Sequence, residues 1–173
     1  MKFLKDKRII SIVWAVLRIW LGYQWLHAGV EKVGNPAWVG EKAGTAVAGF
    51  LNGALAKAVG DHPAVQGWYA EFIEHVALPN ATIFSYLVAF GEVIVGISLI
   101  LGVLTYVGLL AGALMNFNYL FAGTTSTNPN MLLITFILLY VGANSYFYGI
   151  DRFINYKGLF KKKALSGTSQ AGA

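Results

Sequence analysis

Apolar residues occupy four long stretches of this chain, separated by polar gaps of very unequal length. The first is Ile9–Val30. After a mixed connection, Glu31–Asn80, the others follow in quick succession: Ala81–Gly102, Leu104–Phe121 and Met131–Gly149. Each is close to the ~20 apolar residues that carry a helix across a bilayer. Gly102 and Thr105 are the only breaks between the second and third stretches, so the pattern predicts a tight helical hairpin with Gly102 as the C-cap. The polar run Thr124–Asn130 predicts a short turn, with Pro129 placed to open the fourth helix.

The long connection has its own pattern. Ala43–Val59 is rich in Ala, Leu and Gly and reads as a short helix on or in the membrane surface. Pro63–Val76 sets Trp68, Phe72, Ile73 and Val76 on one helical stripe beside Glu71, Glu74 and His75, the pattern of an interfacial amphipathic helix. The fold class expected is all-α: an integral membrane four-helix bundle with an extracytoplasmic amphipathic segment at 31–80, between helices one and two. A basic N-terminus (1–8), a membrane domain (9–149) and a basic tail (150–173) with a disordered end complete the organisation.

Composition supports the membrane reading. The chain is 57% hydrophobic and 12% charged, against about 25% charged in soluble domains. Its net charge of +5 does not point to nucleic acid, because the basic residues gather at the two ends, from Lys2 to Arg8 and from Arg152 to Lys163. Four spans put both ends on one side, and the excess of positive charge makes that side cytoplasmic. The connection holds Lys32, Lys42 and Lys57 against Glu31, Glu41, Asp61, Glu71 and Glu74, so it is net negative, as the outer side should be. Anionic lipid headgroups are the expected partners of the basic ends. The chain has no cysteine, which excludes thiol relays and Cys-ligated metal within it. Its three histidines, His27, His62 and His75, show no metal-ligand spacing, so no metal is expected.

Two charges interrupt the apolar stretches: Arg18 in the first and Glu92 in the second. A charge at the bilayer centre costs at least ~2.5–3.5 kcal/mol, so such residues face inward and find partners. Opposite sign at equal depth predicts that Arg18 and Glu92 pair. On a helical wheel Arg18, Gly22, Trp25, Gly29 and Lys32 share one stripe, and Ser85, Glu92, Gly96 and Leu99 share another. Asn116 and Tyr119 in the third stretch and Asn144 in the fourth add polar groups, and His27 stands near the outer end of the first. Two readings remain open. One is a buried pocket for a polar headgroup or small anion, with Arg18 as forked donor and Glu92 as proton relay. Trp25, His27, Lys32, Ser85, Asn116, Tyr119 and Asn144 would then be lining candidates. The other is a structural ion pair that fixes helix register.

The order R18-x-x-L21-G22-x(6)-G29-x-x-K32, then G91-E92-x(3)-G96-x(5)-G102, resembles the DoxX family of small four-span membrane proteins. The segments WLHAGVEK (25–32) and AGTAVAGFL (43–51) add to the likeness. The family includes the large subunit of a thiosulfate:quinone oxidoreductase. The resemblance therefore implies a bacterial plasma-membrane protein that passes electrons from thiosulfate to a quinone acceptor, or the membrane subunit of such an enzyme. A second subunit, a redox partner or another copy of the chain would be its partner. The alternative class is a non-catalytic membrane scaffold for a redox or stress-response protein.

Overall fold

A computed structural model describes residues 7–154, which are helical throughout apart from turns and loops. The helices are α1 (Lys7–Val33), α2 (Thr45–Leu55), α3 (Gly67–Phe72), α4 (Ala81–Leu101), α5 (Thr105–Phe121) and α6 (Asn128–Val141). α1, α4, α5 and α6 pack in a ring, each against the next, while α2 lies against α4. α1, α4 and the stretch Asn128–Tyr146 are long and apolar enough to cross a membrane. α5, with 17 residues, rises only ~26 Å. Apolar side chains face outward along these helices, among them Val16, Ile83, Leu87, Ile94, Leu114 and Leu133, each more than half exposed. An apolar exterior of that extent marks a lipid-facing surface. The chain is a helical membrane protein.

Glycine sets the closest contact in the ring. A Cβ at Gly96 would stand 2.5 Å from the Leu26 backbone nitrogen, and one at Gly29 would stand 2.6 Å from that of Val93. α1 and α4 therefore touch backbone to backbone, as small residues allow where lipid supplies no hydrophobic drive between helices. This contact also fixes their antiparallel register: Gly29 beside Glu92, Gly22 beside Gly96, and Arg18 beside Gly102.

The hairpin between α4 and α5 forms as the pattern predicts, with Gly102 in the left-handed region at φ 66°. Pro129 stands in the first turn of α6. The fourth apolar stretch departs from expectation. α6 ends at Val141, Gly142 turns at φ 55°, and two short 3₁₀ turns, Gly142–Tyr146 and Ile150–Phe153, follow. The break brings Gly149 against Gly102 and Arg18, which a continued helix could not do.

The connection also departs from its apolar stripe. After α3 the chain widens into a π-helical turn, Ile73–Ala77, with the Leu78 N–H donating to the Ile73 carbonyl at 2.8 Å. Along this segment Val65, Tyr69, Ile73 and Ala77 are buried, while Trp68 and Val76 are exposed. These buried residues pack with Val47, Leu51 and Ala54 of α2 into a cluster of their own. α2 and α3 are thus packed against each other and the bundle, not laid separately on a surface. The basic ends and the small polar tail fall largely outside the described residues.

Candidate functional site

Arg18 and Glu92 do not pair. The two stripes face each other as expected, but in the α1–α4 register Arg18 lies level with Gly102 while Glu92 lies level with Gly29. Eleven residues of helix separate those levels, a rise of ~16 Å. The expectation of equal depth failed because the length of an apolar stretch locates its centre only to within a turn or two. The glycine contacts set the real offset.

Each charge has its own surroundings. Arg18 is 1% exposed and donates from Nη2 to the Tyr148 carbonyl at 3.1 Å. Its guanidinium packs against Gly102 and Gly149, and the Asp151 charge acts on it. Asp151 accepts the Leu104 and Thr105 N–H groups at 2.7 Å each, capping α5 from a distant part of the chain. Its own N–H donates to the Gly102 carbonyl at 2.8 Å. Arg18 is therefore part of a clamp that ties the α4–α5 hairpin to the segment after α6. This is a register-fixing role, with a different partner from the one expected.

Glu92, also 1% exposed, is held from two sides. Lys32 Nζ donates to Oε2 at 2.6 Å, and the Tyr119 hydroxyl donates to Oε1 at 2.6 Å. The cluster draws on three helices: Lys32 from the last turn of α1, Glu92 from the middle of α4, and Tyr119 from the end of α5. Lys32 also stands over the Trp38 ring, 5.2 Å from its centroid. Trp38 is fixed in turn because its carbonyl accepts a 2.7 Å bond from the buried Ser85 hydroxyl. Ser85 thus acts on the site through Trp38.

A cavity of about 320 Å³ opens beside the cluster, with Trp25, Lys32, Trp38, Glu92 and Tyr119 on its inner wall and His27, Thr124, Ser126 and Thr127 toward its rim. Three predicted lining residues, Ser85, Asn116 and Asn144, are not on its walls. Asn144 is exposed beyond the α6 break, at the Arg18 end of the molecule. Asn116 is fully buried one turn beyond Gly112, where Trp25 Nε1 lies close. Neither polar atom of Asn116, nor Trp25 Nε1, has a hydrogen-bond partner among the described residues. His27 is exposed and 3.8 Å from Glu31 across one helical turn. Sequence reasoning missed Trp38 and Phe50 as walls of the site. The Val47–Leu51–Ala54 spacing of α2 was the available signal that this helix packs inward.

A buried carboxylate held by a lysine and a tyrosine, beside a cavity within apolar helices, suits exchange of hydrogen bonds or protons with a polar head. The architecture is that of a small helical membrane protein with a buried lysine–glutamate–tyrosine cluster. Residues 14–167 match the family model described as DoxD, TQO small subunit DoxD, and the chain belongs to that family. This corrects the likeness read from the motifs: DoxX is a related family, and the matching description is of a small subunit, not a large one. No curated protein and no solved structure matches the chain.

Proposed function

We propose that this protein is a membrane subunit of a quinone-linked oxidoreductase of the thiosulfate:quinone type, acting with a partner subunit. The observation that carries the reading is the Lys32–Glu92–Tyr119 cluster on the wall of a cavity inside the bundle. Family membership supports the reaction type, and the small-subunit description supports a partner. Reducing a quinone to a quinol takes two electrons from the donor and two protons from the surroundings. Lys32 and the Tyr119 hydroxyl sit where they can donate hydrogen bonds to a ring oxygen, and the Glu92 carboxylate can take up protons from the surroundings and pass them to the ring through Tyr119. The four-span topology with both ends cytoplasmic, in a bacterial plasma membrane, belongs to the same proposal. Arg18 has no part in the reaction.

The test is thiosulfate-dependent reduction of a quinone analogue by membranes carrying the chain and its partner subunit. Glu92→Gln keeps the shape and removes the ionisable group, so turnover should fall roughly a hundredfold or more, the usual scale of acid–base catalysis. Arg18→Lys should weaken folding and leave turnover per folded molecule unchanged. Full turnover in a folded Glu92→Gln protein would remove Glu92 from the mechanism. A scaffold function is the second reading, favoured by Trp68, 56% exposed and packed edge-on against Tyr69 and Phe121 on the α2–α3 side. If no donor–quinone pair reacts with the partner present, and Trp68→Ala abolishes partner binding, the scaffold reading replaces the enzyme.

A further inference from the structure

The polar cavity has an apolar neighbour. A second cavity, of about 310 Å³, lies between α2, α3, α4 and α5, with Val47, Leu51, Phe84 and Val88 among its walls. Trp38, Phe50 and Tyr119 line both cavities, so the two adjoin across these three side chains. Each is about the size of a small-molecule site at the lower end of the usual ~300–1,000 Å³.

The two cavities open in different directions. Leu87 of α4 and Leu114 of α5 line the apolar one, and they are 61% and 65% exposed on the apolar exterior. That cavity therefore reaches the lipid-facing surface between α4 and α5. The polar cavity is rimmed by His27, Thr124, Ser126 and Thr127 and opens at the end of the bundle that carries the α1–α2 connection. Charge decides what kind of head fits. Lys32 and Glu92 already neutralise each other at 2.6 Å. An anion brought beside them would give up its water and find no uncompensated cation. A neutral head with hydrogen-bond acceptors meets the donors Lys32 and Tyr119 without that cost.

We propose that a neutral, lipid-soluble molecule with a hydrogen-bonding ring and an apolar chain enters sideways from the bilayer between Leu87 and Leu114. Its ring reaches Tyr119, Glu92 and Lys32 in the polar cavity, and the first part of its chain fills the apolar one. The identity of the ring as a quinone rests on the function proposed above; the two-part chamber does not. An anionic donor such as thiosulfate is excluded from this chamber and meets the complex elsewhere.

The experiment uses the purified chain in detergent micelles, with quenching of tryptophan fluorescence as the readout, since Trp38 lines both cavities and Trp25 the polar one. The probes are a decyl-substituted benzoquinone and the same ring without the chain. After correction for micelle partitioning, the decyl compound should bind roughly tenfold or more tightly, as burial of a few methylenes provides. Leu114→Phe and Val88→Phe narrow the apolar cavity and should remove that gain while keeping affinity for the bare ring. Leu114 is exposed enough that its variant folds even if Val88→Phe does not. The proposal is overturned if folded Leu114→Phe binds the decyl compound as the parent does. It is equally overturned if decanol competes as well as decylquinone, or if thiosulfate displaces it. Chain-dependent binding without turnover from any donor would leave the chamber standing and remove the oxidoreductase reading.

Discussion

Lys32→Met separates the observed pairing from the one the sequence suggests. The substitution keeps most of the lysine stem and removes the ammonium, leaving Glu92 1% exposed with the Tyr119 hydroxyl as its remaining partner among the described residues. Removing one member of a buried pair costs ~3–5 kcal/mol, because the remaining charge is uncompensated. The Lys32 side chain is 19% exposed, so water reaches part of the site and the lower end, about 3 kcal/mol, applies. Lys32→Met with Glu92→Leu should then lose less than the sum of the single changes, by about 1–2 kcal/mol, the range found for contacting residues. That is above the ~0.6 kcal/mol average for interhelical hydrogen bonds in membranes, since both partners here are charged. The parallel cycle of Arg18→Leu and Glu92→Leu should be additive to within ~0.3–0.5 kcal/mol, as for residues that share no partner. Reversible unfolding in mixed micelles, titrated with a denaturing detergent, gives all the free energies needed. A Lys32–Glu92 coupling near zero, or an Arg18–Glu92 coupling above about 1 kcal/mol, would refute the register derived from the glycine contacts.

Gly96→Ala should destabilise the same protein by roughly 1–3 kcal/mol, because its methyl would press on the Leu26 backbone and α1 and α4 must part. Gly49→Ala in α2, with nothing within 4 Å, should instead be neutral or stabilise by up to ~1 kcal/mol, and equal losses at both sites would refute the close α1–α4 contact. Lys42 and Glu71, replaced singly by cysteine in this cysteine-free chain, should react with an impermeant maleimide on intact cells. Reaction only after lysis would reverse the proposed orientation.

Much of the fold was legible in the chain because helix length and apolar patterning are local properties. The stretches at Ile9–Val30, Ala81–Gly102 and Leu104–Phe121 became α1, α4 and α5 with little change at their ends, since bilayer-length apolar runs have few alternatives to a helix. Both inward stripes were correct for the same reason: the 3.6-residue period fixes which residues share a face. The sequence by itself also marked Arg18 and Glu92 as buried and in need of partners. It could not supply the offset between α1 and α4, which depends on where glycine lets two backbones meet. That offset moved Arg18 to Tyr148 and Asp151, and Glu92 to Lys32 and Tyr119. The break at Gly142 had a local signal, since Gly142 followed by Asn144 and Ser145 is a helix-stop pattern, but the contact of Gly149 with Gly102 and Arg18 that follows it was not legible in the sequence. Only the tertiary structure set Trp38 and Phe50 beside Tyr119, residues far apart in sequence that together line both the polar cavity and the apolar one.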